Sequence, residues 1–393
     1  MSKKYLIVNT GSTSKKYAFY DEKKKVYVAH FEVENSALIV TETINGVSKK
    51  KSISKKDYPK SVGIVIDSLI ENKIINSKDD VTCSGVRIVA PGQYFLENKL
   101  INKEYLKMAD IALEKVPLHL SSALEEIKNI KALFGEKKPI YGISDSAFHS
   151  TIPEYARFYA IPMKDSRKYG LYQFGYHGIS VQSVLSRAKE TLGKLPEKVI
   201  VCHLGGGASV TAVKNGKSID TSMGFTPLEG LIMATRVGDI DPGAVLYLSE
   251  KLKKDNKELE IYFNNKCGLL GLSGKSADLR DLIEHEKNGD EDSTLALKIY
   301  VNKIRQYIGR MAAVLGGVDL LILAGTVGER SIVIRERVCA DMKFLGIELD
   351  SKINNKSFGV EASINKASSS AKVLIVKTDE MEEMAKMTYS LLK

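Results

Sequence analysis

The chain has 393 residues, of which 44% are hydrophobic and 27% charged, an ordinary composition for a globular protein that excludes an intrinsically disordered one. Its 58 basic and 48 acidic residues give a formal net charge of +10, and residues 1–60 hold 13 lysines against 6 acidic residues. No run of aromatics is interleaved with the lysine clusters, and the sequence contains no recognisable nucleic-acid module. We therefore expect a solvated basic edge and no nucleic-acid partner.

The cysteine usage and the apolar runs indicate a compartment. The cysteines are far apart, without a CxxC pair or a zinc-like spacing: Cys83, Cys202, Cys267 and Cys339. The apolar run near the start is too short for a signal peptide. A long apolar stretch such as 318–324 falls well below the roughly 20 residues that a membrane span needs. We expect a soluble, cytoplasmic protein with no membrane partner.

The first half of the chain is predicted to open with a β-meander over residues 4–50, because apolar and polar residues alternate there between turn signals. Helical periodicity follows over 61–72, 104–115 and 121–133. A short strand, PIYGIS, then leads directly to Asp145.

The second half repeats that plan from about residue 197, where a strand runs into a Gly/Ser turn and back out as a strand. A long helix is predicted at 292–315, followed by the strand VDLLILAG, a glycine-containing turn and a helix from about 331. The last strand, KVLIVKT, leads to a closing helix at 380–392. The repeat indicates an internal duplication, and we expect two closely packed α/β domains with a ligand cleft between them.

Three glycine-containing turns, 9–14, 205–209 and 325–329, are candidate phosphate cradles, since glycine lets backbone N–H groups approach an anion. A plain hairpin explains any one of them, but three together are typical of nucleotide phosphate clamps. GLLGLSGKS is not a P-loop, because Gly268 and Gly274 are six residues apart where the motif requires five.

The candidate charged and titratable side chains are Arg87, Arg236, Asp145, Glu380, His119, His177 and His203. Asp145 and Glu380 each follow an apolar strand, the usual place for a functional carboxylate in an α/β fold. Arg236 lies in an apolar, glycine-rich stretch where a solvated arginine is unexpected. From the residues alone, His119 and His203 fit a structural role as well as a functional one.

These segments together resemble a known family. DTSMGFTPLEGLIMATRVGDIDPG closely resembles the long signature of the acetate kinases, and IVNTGSTSKKY resembles their N-terminal signature. The segments VRIV, PLH, SDSAFHSTIP, GYHG, HLGGGASV, SADLRDL and TDE follow in family order, so the resemblance covers essentially the whole chain. It implies an α/β fold with two duplicated domains of the sugar kinase, heat-shock ATPase and actin superfamily around a nucleotide cleft.

The resemblance also implies an organisation and an activity. The expected domains are an N-terminal α/β domain at 1–146, with a closing helix at 382–393 packing back on it, and a C-terminal nucleotide-binding domain at 147–381. The expected reaction is reversible, Mg²⁺-dependent phosphoryl transfer from ATP to acetate, giving acetyl phosphate and ADP by direct in-line attack. Mn²⁺ is an alternative ion, and a homodimer is the expected assembly.

Residue roles follow from the same resemblance, position by position. The implied catalytic residues are Asp145, His177, Arg236, Arg87 and His119. The implied acid site consists of Arg87, Val89, Leu118, Tyr176 and Pro227. The implied nucleotide site consists of Ser12, Ser14, Lys16, His203, Leu204, Gly205, Gly206, Gly207, Asp278, Leu279, Arg280, Gly325, Thr326, Val327, Gly328 and Glu329. The implied metal residues are Asn9 and Glu380.

The expected chemistry suits these residue types. A carboxylate nucleophile is already ionised at neutral pH, so no strong general base is required. Two arginines offer forked donors that match carboxylate and phosphate oxygens.

Several departures mark a divergent member. The family's usual HGG after Arg87 reads APG at 90–92, Val181 and Gly206 replace a histidine and an asparagine, and the 325–329 turn is one residue longer. Tyr176 replaces a more frequent phenylalanine and adds a hydroxyl at the acid pocket. The alternatives are a propionate or butyrate kinase, a nucleotide-binding relative without kinase activity and, in third place, a nucleic-acid-binding role that rests on the net charge of +10.

Overall fold

The computed structural model describes residues 3–11, 14–34 and 37–392. The chain divides into two compact units. Unit 1 comprises Met1–Ala147 and Asp379–Lys393, and unit 2 comprises Phe148–Thr378. Within the described ranges, unit 1 contains a sheet of eight strands and unit 2 a sheet of six.

The strands are β1 Lys4–Thr10, β2 Ser14–Asp21, β3 Lys24–Glu34, β4 Ala37–Ile44, β5 Val47–Ser52, β6 Cys83–Ile88, β7 Lys99–Leu100, β8 Ile140–Ser144, β9 Lys198–Leu204, β10 Ala208–Lys214, β11 Lys217–Thr221, β12 Leu320–Ala324, β13 Ala362–Ser363 and β14 Lys372–Ile375.

The helices are α1 Ser61–Glu71, α2 Lys103–Leu113, α3 Pro117–Phe134, α4 Glu154–Arg157, α5 Met163–Tyr169, α6 Gly178–Leu192, α7 Pro242–Leu252, α8 Asn256–Asn265, α9 Gly268–Ser273, α10 Leu279–Lys287, α11 Glu291–Leu315, α12 Gly325–Arg330, α13 Ile332–Cys339, α14 Ser351–Lys356 and α15 Glu380–Leu391. In the described part of the chain, no helix combines the length and the apolarity that crossing a membrane requires.

The sheet of unit 1 has the order β5-β4-β3-β2-β1-β6-β8-β7. Strands β1–β5 form an antiparallel meander, whereas β1, β6 and β8 run parallel to one another. In β3, Tyr27, Ala29 and Phe31 alternate into the core, which is the period-2 pattern of a half-buried strand. The meander predicted over residues 4–50 is confirmed.

Helices cover this sheet. Helix α1 buries Val62, Val65, Ile66 and Leu69, whose spacing of three and four residues forms one apolar face. Helix α3 packs against β1 and β6, and α15 packs against β1, β6 and β8. Helix α15 approaches the sheet closely at Gly85, where a Cβ would overlap the hydroxyl of Thr388.

The sheet of unit 2 has the order β11-β10-β9-β12-β14-β13. Strands β9 and β10 form an antiparallel hairpin, while β9, β12 and β14 run parallel. Strand β12 is buried at every residue, and α11 packs across β9, β10 and β11. The order β11-β10-β9-β12-β14 repeats the order β3-β2-β1-β6-β8 of unit 1, so the two units share one topology.

The predicted long helix, the apolar strands and the closing helix are confirmed within a few residues. The predicted turn at 325–329 is wrong, because α12 begins directly after β12. Gly325 adopts a φ of 74°, which lets the chain leave the strand and enter a helix at once. Helices α4 to α10 had no sequence prediction. Helix α7 differs from the helices that were predicted, since none of its residues, all of them described, is buried.

Candidate functional site

Four side chains predicted for the site lie at one edge of the unit 1 sheet. Asn9 lies near the end of β1, Arg87 near the end of β6, and Asp145 directly after β8. Because these strands are parallel neighbours, their carboxyl ends meet at the same edge. Glu380 is the first residue of α15, which packs against the same three strands. The topology therefore brings together residues that are far apart in the sequence.

Arg87 is the centre of this group. Its Nη2 lies 2.9 Å from Asp145 Oδ2, and its Nη1 lies 3.6 Å from Glu380 Oε2. Arg87 Nη1 also donates to Asn9 Oδ1 at 3.3 Å, and Asn9 Nδ2 donates to Glu380 Oε2 at 3.0 Å. Burial opposes the charge of the guanidinium, but the two carboxylates outweigh it and raise the pKa of Arg87 above its ordinary value. The Arg87 guanidinium is therefore permanently charged and is fixed near the end of β6.

The oxygen atoms of this group fit a magnesium ion. Asp145 and Glu380 supply carboxylates and Asn9 an amide oxygen, the donor types that Mg²⁺ prefers. Among the described residues no group of three or more His, Cys, Asp and Glu side chains is arranged to hold a metal. Mg²⁺ usually binds through one or two carboxylates together with substrate phosphates and water. The residues therefore fit an ion shared with a phosphate and not an all-protein cage.

The predicted residues of the acid pocket in unit 1 lie on two elements. Val89 directly follows β6, two residues after Arg87. Leu118, with 36% of its surface exposed, and His119 occupy the first turn of α3. The roles of Val89, Leu118 and His119 stay predictions.

The predicted phosphate turn of unit 1 is described in part. Ser12 lies outside the described residues. Ser14 is the first residue of β2, and its carbonyl oxygen accepts from the N–H of Gly11 at 2.8 Å. Lys16 is exposed on β2, whereas Lys15 points into the core and pairs with Glu126 at 2.7 Å. Of the two adjacent lysines, Lys16 is thus the one accessible to a ligand.

Two histidines form the corresponding group in unit 2. His177 immediately precedes α6, His203 lies near the end of β9, and their ring centroids are 4.4 Å apart. The Nδ1 of His177 lies 3.0 Å from Ser209 Oγ, and the Nδ1 of His203 lies 2.6 Å from Ser180 Oγ. Because each Nδ1 contacts a serine hydroxyl, each ring is held in one orientation with its Nε2 on the opposite edge.

Arg236 lies beside these histidines. Its Nη1 donates to the carbonyl oxygen of Pro227 at 3.3 Å and lies 3.5 Å from Met233 Sδ. A Cβ built on Gly207 would lie 3.2 Å from His177 Nε2 and 3.6 Å from Arg236 Nη1. Gly207 therefore marks a point where backbone, imidazole and guanidinium converge, and a side chain there would crowd both groups.

The two glycine segments predicted for the nucleotide lie side by side in unit 2. Leu204 ends β9 and Gly325 follows β12, and β9 and β12 are parallel neighbours. The N–H of Gly205 donates to Gly207 O at 3.0 Å, and Gly206 is exposed at the tip. A Cβ on Gly325 would lie 2.6 Å from Leu204 O, so this close approach requires glycine.

Helix α12 carries the remaining residues of the second segment. Thr326 and Val327 fall in its first turn, Gly328 is buried, and the Oε1 of Glu329 accepts from the backbone N–H of Thr378 at 3.1 Å. Glu329 thereby links α12 to the segment that follows β14.

Asp278, Leu279 and Arg280 form a separate group at the start of α10. Asp278 caps the helix by accepting from the N–H of Arg280 at 2.8 Å, and its Oδ2 also binds Arg280 Nη2 at 2.6 Å. The Arg280 side chain is 89% exposed. Its predicted contact with adenosine stays a prediction.

Tyr176 and Pro227 are the acid-pocket candidates of unit 2, and both are buried. Tyr176 is 1% exposed, and its hydroxyl donates to the carbonyl oxygen of Phe225 at 2.7 Å. The hydroxyl that distinguishes this residue from phenylalanine is therefore bound to main chain.

Sequence reasoning missed the partners of these side chains. Ser209 lies inside the HLGGGASV segment, and Ser180 lies one helical turn after His177. Both serines could therefore have been identified from the sequence. Tyr159 and Glu229 contact each other across 70 residues, and no local pattern marks such a pair.

Comparison with known proteins assigns the family. The acetokinase family model matches residues 4–386. The chain belongs to the acetokinase family. It is 41% identical to the acetate kinase of Bacteroides thetaiotaomicron over 401 residues, covering 99% of this chain and 100% of that one. It is thus a kinase, a phosphotransferase whose acceptor is a carboxyl group and whose co-substrates are ATP and ADP.

Solved structures of acetokinases agree with the fold. The acetate kinase of Porphyromonas gingivalis matches with a TM-score of 0.88 and 35% identity over 100% of both chains. A propionate kinase from Francisella tularensis subsp. tularensis matches with a TM-score of 0.89 and 31% identity over 98% of both chains. The predicted fold class is confirmed as the α/β ATPase fold that these kinases share with actin and hexokinase.

Proposed function

We propose that this acetokinase transfers the γ-phosphoryl group of ATP to acetate, reversibly, forming acetyl phosphate and ADP by direct in-line attack of the acetate carboxylate. The observation that carries the proposal is the group at the edge of the unit 1 sheet, where Arg87 lies between Asp145 and Glu380. Phosphoryl transfer needs positioning and charge neutralisation more than covalent chemistry, and a fixed guanidinium beside oxygen donors supplies both.

In this mechanism the residues of unit 1 bind the acid and the metal. Arg87 holds the acetate carboxylate with its forked donors. Asn9 and Glu380 hold Mg²⁺, with Mn²⁺ as an alternative, and Asp145 orients the ion and the reacting carboxylate. When bound, the ion neutralises charge on the phosphate oxygens. Val89 and Leu118 contribute to an apolar pocket for the methyl group.

The residues of unit 2 act on the phosphoryl group. Arg236 neutralises its developing charge, and His177 donates a hydrogen bond to it. In unit 1 the proposed donor is His119. The contact of Ser209 with His177 Nδ1 at 3.0 Å supports an orientation in which Nε2 faces the ligand. No general base is needed, because the acetate carboxylate is ionised at neutral pH. Tyr176 and Pro227 are the residues of unit 2 that are assigned to the acid.

The nucleotide is assigned to four segments. The phosphates lie along Ser12, Ser14 and Lys16 and along His203, Leu204, Gly205, Gly206 and Gly207. The adenosine lies against Asp278, Leu279 and Arg280, and the rest of the nucleotide against Gly325, Thr326, Val327, Gly328 and Glu329. The exposed backbone at Gly206 supports close approach of an anion.

The test of the proposed function is hydroxylamine trapping of the acyl phosphate, with purified protein, ATP and Mg²⁺ and with acetate, propionate and butyrate offered in parallel. Acetohydroxamate forming fastest supports the proposal, and its formation should stop when the divalent ion is chelated. No acyl hydroxamate from any acid, in protein that still binds ATP, would contradict it and indicate a nucleotide-binding relative without kinase activity.

A propionate kinase is the second candidate, because the match to the Francisella propionate kinase has a TM-score of 0.89, as high as the 0.88 of the Porphyromonas acetate kinase. One methylene changes binding in an apolar pocket by only about 1–3 kcal/mol. The same assay decides between them, since a faster reaction with propionate or butyrate would transfer the assignment to the longer acid.

A homodimer is proposed on the exposure of α7. All residues of α7 are described and none is buried, although Leu246 and Tyr247 are large and apolar, with 73% and 62% of their surface exposed. A patch of this kind marks an interaction surface, and a second copy of the chain is the proposed occupant. Light scattering should report a dimer that Leu246→Glu dissociates and that Phe344→Glu, at an exposed position outside α7, leaves intact.

A cytoplasmic location is proposed on the free thiols of the chain. The four cysteines are unpaired in the structure, and three of them are buried, as expected for a protein in a reducing compartment. Fractionation of cells expressing the tagged chain tests this, and recovery outside the cytoplasm would contradict it.

A further inference from the structure

The 224–227 turn of unit 2 is held by two tyrosine hydroxyls. The N–H of Phe225 donates to Tyr159 Oη at 2.8 Å, and Tyr176 Oη donates to the carbonyl oxygen of Phe225 at 2.7 Å. The peptide groups before and after Phe225 are thus each hydrogen-bonded to the hydroxyl of a buried or partly buried tyrosine. The turn also bears Pro227, which the proposed function assigns to the acid pocket together with Tyr176.

The Tyr159 hydroxyl is itself held. It donates its single proton to Glu229, which leaves its oxygen to accept from Phe225. A Cβ on Gly224 would overlap both the Glu229 carboxylate and the Tyr159 hydroxyl, so the turn packs directly on this pair. The Gly224 carbonyl in addition accepts from the N–H of Phe174 at 3.0 Å.

The same turn reaches the proposed phosphoryl site. Arg236 Nη1 donates to Pro227 O at 3.3 Å, two residues beyond the peptide that the tyrosines hold. A displacement of Phe225 would therefore move Pro227 in the wall of the pocket and also the anchor of Arg236. Packed interiors transmit such shifts because they contain few voids.

We propose that Tyr159 and Tyr176 are positioning residues that hold the 224–227 turn rigid and thereby determine how strongly the enzyme discriminates acetate from longer acids. This inference rests on the proposed function. A pocket wall that cannot move rejects the additional methylene of propionate. A wall that can move accommodates it at little cost in binding free energy. The Tyr176 hydroxyl then increases selectivity through Phe225, without contacting the acid.

The test is to compare Tyr176→Phe and Tyr159→Phe with the wild-type enzyme in kcat/KM for acetate and for propionate. Each substitution keeps the ring and removes one hydrogen bond. We expect the acetate-to-propionate ratio to fall by about fivefold, the size of effect that one neutral hydrogen bond supports, mainly through a lower KM for propionate. Tyr155→Phe is the matched control, because Tyr155 is 88% exposed, and its ratio should equal that of the wild type.

The outcomes separate the explanations. A purely structural role would lower kcat/KM for both acids by the same factor and leave the ratio unchanged, which would overturn the inference. Tyr176→Phe keeps the test valid if Tyr159→Phe does not fold, because it removes a different hydrogen bond to Phe225. A wild-type enzyme that phosphorylates no acid overturns the proposed function together with the inference, whereas an active wild type with unmoved ratios overturns the inference alone.

Discussion

The two units share a strand order but hold different side chains at the corresponding strand ends. In unit 1 the carboxyl ends of the parallel strands bear a guanidinium between two carboxylates, Arg87 with Asp145 and Glu380. In unit 2 the corresponding edge bears imidazoles and glycine backbone, with His203 at the end of β9. The comparison teaches that a duplicated topology determines where a site lies, while the side chains placed there determine its chemistry.

The two groups also differ in what holds them. The unit 1 group is held by ion pairs, and Asp145 within it is 1% exposed. The unit 2 group is held by neutral contacts, such as the serine hydroxyls beside His177 and His203. Removing Arg87 takes its ion pair away from the buried Asp145. The cost in free energy of unfolding is larger than for the loss of a neutral hydrogen bond.

The largest expected effect comes from the two arginines. Arg87→Ala and Arg236→Ala should each lower kcat at least about a hundredfold, as loss of one preorganised donor commonly does. Arg87→Ala should in addition lower the free energy of unfolding by about 2 kcal/mol, because Asp145 loses its ion pair. Steady-state kinetics and chemical denaturation measure the two effects.

Lys50→Ala is the control for the arginine series, since its ion pair with Glu34 is exposed at 57% and 45% and an exposed pair contributes little to stability. Near-normal turnover in either arginine variant would refute the assigned roles. A stability change in Arg87→Ala no larger than in Lys50→Ala would refute the contrast between buried and exposed pairs.

The next effect concerns the glycine backbone of unit 2. Gly325→Ala should lower the stability of unit 2 by about 2 kcal/mol and raise KM for ATP, because its φ is 74° and a Cβ would lie 2.6 Å from Leu204 O. Gly206→Ala is the matched control, since among the described residues no atom beyond its chain neighbours lies within 4 Å of its Cβ position. Its stability should stay within about 0.5 kcal/mol of the wild type, and equal losses in both variants would contradict the steric argument.

A smaller effect should follow from the partner of His177. Ser209→Ala should lower kcat by about tenfold with little change in KM for acetate, because the imidazole is no longer held in one orientation. Ser209→Thr, which keeps the hydroxyl, should restore most of the loss. Ser363→Ala, at an exposed position of β13, provides the baseline. A Ser209→Ala enzyme with the baseline kcat would show that Ser209 does not orient the ring.

The smallest expected effect is a pH dependence that differs in sign between the units. Glu42 accepts from Tyr27 in unit 1, and Glu229 accepts from Tyr159 in unit 2. Burial favours a higher pKa for Glu42, but hydrogen bonds from Ser68, Tyr27 and Lys51 outweigh it and lower the pKa. Burial raises the pKa of Glu229 above its ordinary value of 4.5, and the nearby Asp239 adds to the rise.

The signs follow from proton linkage. The stability due to Glu42 is present above pH 4.5 and is lost as the pH falls through its lowered pKa. The stability due to Glu229 is present below pH 4.5 and is lost as the pH rises through its raised pKa. Denaturation midpoints measured across this pH range test both signs. Glu42→Gln should reduce the loss of stability as the pH falls, and Glu229→Gln should reduce the loss of stability as the pH rises. If both variants changed the pH dependence of stability in the same direction, the opposite pKa shifts assigned to Glu42 and Glu229 would be contradicted.

Much of the site could be located from local pattern. The apolar run before Asp145 and the fully apolar β12 before Gly325 indicate buried strands, and polar or glycine residues at the ends of such strands are the usual ligand-binding positions. The duplicated plan of strand, glycine turn and strand was visible for the same reason. These features depend on short-range periodicity, which a sequence displays directly.

The sequence by itself therefore determined the strands, the ends at which functional residues gather and the family of the chain. Tertiary structure decided which polar group meets which: that Lys15 pairs with Glu126 in the core while Lys16 is exposed, and that the Tyr176 hydroxyl binds Phe225. These contacts join residues 111 and 49 positions apart. Hydrogen bonds and ion pairs depend on distance and angle in space, and no local periodicity encodes that geometry.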